Sequence, residues 1–131
     1  VRLRFLLLAI ATILLGLLFQ QARGALPPVL ADMLGDGLWA AMIYWILGSL
    51  APDRARWQRA LLALLACWAV EASQLLHATW LDDWRSTPLG HLTLGTDFDP
   101  RDLLAYTLGL LLAFRAEPAL IRGTTIADRS R

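Results

Sequence analysis

Lysine is absent from this chain, and cysteine occurs once in 131 residues. A lone Cys67 excludes an internal disulfide and a cysteine metal site. Its place in an apolar run marks it as a small buried hydrophobe. Histidine occurs twice, as His77 and His91, without metal-ligand spacing, so no metal and no other cofactor is expected. All twelve basic residues are arginines, as in a chain from a GC-rich bacterial genome with Val1 read from a GTG start. They flank apolar runs and do not cluster with exposed aromatics, which argues against nucleic-acid binding.

Apolar surface is abundant instead. Hydrophobic residues make up 57% of the chain, and the mean hydropathy is +0.52. A soluble domain this small cannot hide so much apolar area, because its surface is large for its volume. Lipid can. The expected fold class is all-α, an integral membrane bundle of four transmembrane helices over residues 4–20, 35–51, 60–78 and 98–116. A spanning helix needs about 20 mostly apolar residues, so the last span must recruit its flanks. The membrane domain is expected to be 1–117, with 118–131 as a disordered cytoplasmic tail that lacks apolar periodicity. The first segment is expected to be retained despite a small-x-small site at Ala22-Arg23-Gly24, because the apolar remainder needs a partner helix.

Charge placement sets the orientation. Arg2, Arg4, Arg54, Arg56, Arg59, Arg115, Arg122, Arg129 and Arg131 fall on one side, against Arg23, Arg85 and Arg101 on the other. The second side also holds Asp32, Asp36, Asp82, Asp83, Asp97, Asp99 and Asp102. Both termini are therefore expected in the cytoplasm, with the chain multi-pass in a bacterial inner membrane. Helices in lipid associate through small residues, and Ala105, Gly109 and Ala113 share one face of the last span.

Glu71 is the costliest residue to insert. It lies about 18 Å along a helix from Arg59, past the bilayer midpoint, where a charged acid costs on the order of 2.5–3.5 kcal/mol. It is read either as a proton-carrying or ligand-orienting carboxylate or as a clamp between helices. Gln74 follows one turn on. The connection from residue 80 to 101 mixes acids with Trp84, Leu89, Leu92 and Phe98, and is read as a partly re-entrant loop between the third and fourth helices. Asp99-Pro100-Arg101-Asp102 reads as a helix start. Asp36, Tyr44, Glu71, Gln74, Arg85, His91, Asp102 and Tyr106 are expected to meet in a polar pocket in the outer half, with Arg85 pairing Glu71 or Asp102.

Several of these pieces resemble a bacterial family of unknown function, number 2809 in the domain-of-unknown-function series. They are Gly35-Asp36-Gly37-Leu38-Trp39-Ala40 with Tyr44, Glu71-Ala72-Ser73-Gln74, Leu89-Gly90-His91-Leu92 with Leu94-Gly95 and Phe98, and Asp102-Leu103-Leu104-Ala105-Tyr106 with Gly109. The resemblance implies architecture. Glu71, Gln74 and Asp102 also resemble the Glu-x-x-Gln pair and later acid of VanZ-like membrane proteins, which are associated with glycopeptide resistance; the Asn usual after that acid is Tyr106 here. Three function classes follow. The favoured one is an envelope binding or accessory protein, with membrane lipid, an envelope lipid or a cell-wall precursor as partner. The others are a small proton-coupled transporter centred on Glu71, which would need to oligomerise to enclose a pathway, and an envelope-lipid enzyme. The last lacks an evident nucleophile.

Overall fold

The computed structural model describes residues 1–95 and 97–122, and among these every regular element is helical. Four long helices, α1 (Arg2–Ala22), α2 (Pro28–Leu50), α3 (Arg56–Ser73) and α6 (Pro100–Arg122), form a bundle. A 3-10 turn, Arg23–Ala25, follows α1, and two short helices, α4 (Thr79–Arg85) and α5 (Pro88–Leu94), join α3 to α6. The stretch expected as an irregular loop is thus largely helical.

Among the described residues, three helices are long and apolar enough to cross a membrane: Arg2–Ala25, Pro28–Leu50 and Pro100–Ile121. The expected four are narrowed accordingly. It is α3 that falls short, not the last helix, because its 18 residues include Arg56, Arg59 and Glu71. Its bounds also sit a turn earlier than 60–78. α2 begins at Pro28, seven residues before the expected 35. Gly35 and Gly37 look like helix breakers, but Gly37 faces another helix: a Cβ there would lie 3.6 Å from the Ala105 carbonyl oxygen and from the Gly109 Cα. That is an ordinary contact, and the tight side of the crossing lies at Gly109.

α6 runs on through Pro118 to Arg122, past the expected domain boundary at 117. Proline has no N–H to give the carbonyl four residues back. That carbonyl belongs to Phe114, and the Arg56 guanidinium donates to it instead. A side chain from α3 thereby lets the helix pass its proline. The rest of the expected tail, residues 123–131, lies outside the described residues.

α2 is central, with α1 on one side and α3 and α6 on the other. α2 and α6 run in the same direction: going along both, Gly37 meets Gly109 and then Tyr44 meets Glu117. α1 and α3 run opposite to them, as Phe5 against Gly48 and Glu71 against Tyr106 require. Ala105, Gly109 and Ala113 are buried, as their spacing predicts, and so is Cys67.

The bundle buries charged side chains within an apolar core and turns leucines outward. Arg59, Glu71, Arg85 and Glu117 are buried, while Leu61, Leu65 and Trp68 of α3 and Leu104, Leu108 and Leu112 of α6 are exposed. Water inverts that arrangement in a soluble bundle.

Candidate functional site

A cavity of about 520 Å³ opens at one end of the bundle, between the late turns of α1, the early turns of α2 and α6, and the segment after α5. Five of the eight expected residues line it: Asp36, Gln74, His91, Asp102 and Tyr106. Leu17, Trp39, Met42 and Val70 supply an apolar wall, and Asp32, Asp97 and Asp99 add acids. The one arginine in the lining, Arg23, is paired with Asp32.

Asp36 owes its position to the early start of α2. It sits about two turns inside the helix, where a favourable interaction with the helix N-terminus has faded. An interaction with the helix N-terminus therefore does not account for Asp36. Its carboxyl lines the cavity from α2, as that of Asp102 does from α6. Asp102 is in the first turn of α6, as the Asp-Pro-Arg-Asp pattern predicts. Asp99 accepts from the Arg101 backbone N–H at 2.9 Å, as a helix-capping acid does. The Arg101 guanidinium, and then this N–H, hold the Asp99 carboxyl below the usual carboxylate range.

Glu71 stands behind the cavity and is fully buried. Its Oε1 accepts from the Asp99 N–H at 2.8 Å, and its Oε2 accepts from the Tyr106 hydroxyl at 3.2 Å. This is the geometry of a clamp joining the end of α3 to the start of α6. Glu71→Ala is expected to destabilise the protein by about 1–3 kcal/mol, because enclosed donors lose their acceptor. Glu71→Gln keeps an acceptor and a polar partner and is expected to stay near wild type. Thermal unfolding of the detergent-purified chain, followed by tryptophan fluorescence, separates the two; equal losses would refute the clamp.

Gln74 donates to the Leu94 carbonyl at 2.7 Å, while its buried Oε1 has no partner. Gly95 makes room for this: its φ is +64°, and a Cβ there would stand 2.7 Å from the Gln74 amide nitrogen. His91 is exposed on α5 at the rim.

Two expected members sit elsewhere. Arg85 pairs neither Glu71 nor Asp102. It donates to the Ser73 carbonyl and, at 2.9 Å, to the Leu76 carbonyl, and it pairs with Asp82 at 3.1 Å. It ties down the turn after α3, taking the Leu76 carbonyl and adding a second donor to the Ser73 carbonyl, which also accepts from the Leu76 N–H. Tyr44 lies two turns beyond Asp36, toward the other end of the bundle, and donates its hydroxyl to Glu117. There Arg59 pairs with Glu117 at 2.7 Å and Arg56 approaches it at 3.5 Å. The Arg59 guanidinium also stacks 4.7 Å from the Phe5 ring centroid.

This second polar cluster was not expected from sequence. Its signal was Glu117 itself, one of only two glutamates in the chain, placed directly before a proline that reads as a helix stop. Among the described residues, no group of His, Cys, Asp and Glu side chains is arranged to hold a metal ion.

A family profile described as protein of unknown function (DUF2809) matches residues 25–110. The match spans α2 to the middle of α6 and so covers the lining of the acidic cavity from Asp32 onward. The VanZ-like resemblance rests on the sequence motif alone. No solved structure matches the chain.

Proposed function

This chain belongs to the DUF2809 family, whose function is unknown, and we propose that it is an envelope binding protein that holds an amphiphile by its ammonium-bearing headgroup. The observation that carries this reading is the acidic cavity. Carboxyls outnumber its single, already paired arginine, and a buried Gln74 oxygen has no donor. Such a lining favours a cationic, hydrogen-bond-donating group and repels an unshielded phosphate. The apolar wall formed by Leu17, Trp39, Met42 and Val70 suits the acyl portion of the same molecule.

The reading includes α3 as a fourth span. At the standard rise its 18 residues reach about 27 Å, close to the hydrocarbon thickness of about 30 Å. Its charges turn inward and its leucines outward. With the arginine bias, both termini are cytoplasmic, the cavity opens at the outer leaflet of a bacterial inner membrane, and α4 and α5 lie at its mouth as a partly re-entrant segment.

The test is lipid retention by the detergent-purified full chain, measured by native mass spectrometry. Phosphatidylethanolamine, with its primary ammonium, is expected to be retained about tenfold better than phosphatidylcholine, since each lost charge-assisted bond is worth about 1.5–3 kcal/mol. Asp36→Asn with Asp102→Asn is expected to erase the preference. Equal retention of both lipids, unchanged in the double variant, would overturn the proposal. A proton-carrier reading moves from Glu71 to Asp36 and Asp102, the two acids that line the cavity from α2 and α6. Proton leak into dye-loaded proteoliposomes, abolished by Asp36→Asn, would favour that reading.

A further inference from the structure

The opposite end of the bundle contains a second cavity of about 610 Å³. Arg4, Arg54, Arg56 and Arg59 line it, against only Asp53 and Glu117. Arg59 is 2% exposed, yet its Nε and Nη1 have no hydrogen-bond partner, and the buried Nε of Arg56, 3.5 Å from the Glu117 carboxylate, makes no hydrogen bond either. Glu117 cannot serve them all. Its Oε1 already takes the Arg59 Nη2, and its Oε2 takes the Tyr44 hydroxyl. Ala55 and Arg56, at the start of α3, border the same space, and no side chain caps that helix start. The free amide N–H groups of its first turn add to the positive field.

We infer that this cavity is a binding site for a phosphate-type oxyanion, carried either by a lipid headgroup or by a soluble phosphate compound. Guanidinium forks pair with tetrahedral oxyanions through several N–H groups at once. A single anion supplies the acceptors that Arg59 and Arg56 lack, and it offsets the excess of arginine over acid. The site is separate from the acidic cavity and shares no lining residue with it. Its lining is drawn from the arginine-rich side of the chain, where an inner-leaflet headgroup would sit.

Native mass spectrometry of the detergent-purified full chain tests this with phosphatidylglycerol against diacylglycerol, which has no phosphate, alongside thermal unfolding in inorganic phosphate. Phosphatidylglycerol is expected to be retained about tenfold better, a preference that Arg54→Glu lowers about tenfold. Arg54 is exposed, so this variant leaves the packed interior intact. Arg59→Lys keeps the charge facing Glu117 but removes the unpartnered N–H groups, and is expected to weaken retention as well. Stabilisation by inorganic phosphate, with displacement of phosphatidylglycerol, would identify a soluble phosphate as the source. Retention of phosphatidylglycerol that inorganic phosphate does not disturb would identify the headgroup. Equal retention of the two lipids without a phosphate effect, or a preference that survives both variants, would overturn the site.

Discussion

Glu117→Ala is expected to destabilise the protein by about 3–5 kcal/mol, the cost of stranding a buried charge. Arg59 is almost wholly enclosed, and among the described residues its one hydrogen bond to an acid is to Glu117. Truncation also takes the acceptor from the Tyr44 hydroxyl, which is fully buried. Arg56 loses its nearby acid in the same step, though it keeps the Phe114 carbonyl. Replacing both charged partners, Arg59→Met with Glu117→Leu, is expected to cost much less than the single change, because no lone charge remains in the interior. Denaturant titration in mixed micelles reads the difference. A single variant within about 0.5 kcal/mol of wild type would show that Arg59 is solvated by some other route; surface changes fall in that range.

Gly109→Ala is expected to cost about 1–3 kcal/mol or more, whereas Gly37→Ala, on the facing helix, is expected to cost little. A Cβ on Gly109 would lie 2.2 Å from the Gly37 carbonyl oxygen and 2.4 Å from its Cα. Both are backbone atoms, so α2 and α6 would have to move apart. A Cβ on Gly37 meets its nearest atoms at 3.6 Å, an ordinary contact. Every Cβ tilts toward its helix N-terminus, so two glycines facing across a contact need not have equal room. In lipid the close approach of α2 and α6 supplies attraction that hydrophobic burial does not. Thermal unfolding of the two single variants checks the asymmetry, and equal losses would contradict it.

The readable parts of the molecule were those whose cause is local. Ala105, Gly109 and Ala113 share a face by helical spacing alone. Glu71 announced itself because an acid deep in an apolar run is costly wherever its partner lies. The Asp-Pro-Arg-Asp start of α6 is set by the φ of proline and by an acid within reach of the first amides. The parts not readable depend on partners far along the chain. Arg56 and Arg59 read as a basic flank outside the membrane, and nothing near them says that Glu117 stands opposite. Pro118 reads as a stop, because the Arg56 side chain that replaces its missing donor comes from another helix. Arg85 was assigned to a distant acid, whereas it meets the Ser73 and Leu76 carbonyls of the turn after α3.

By itself the sequence determined that the chain is helical and apolar enough for lipid, which face of α6 packs inward, and which acid is too costly to leave unpartnered. These follow from composition, spacing and the price of a buried charge, and no contact map is needed for them. Only the tertiary structure decided that the polar residues divide into two sites at opposite ends, with Asp36 and Asp102 at one and Tyr44, Arg59 and Glu117 at the other. Helical spacing fixes where a side chain leaves its own helix. Which side chain it meets depends on the direction and register of the neighbouring helix, and here the close approach of Gly37 and Gly109 helps to set both.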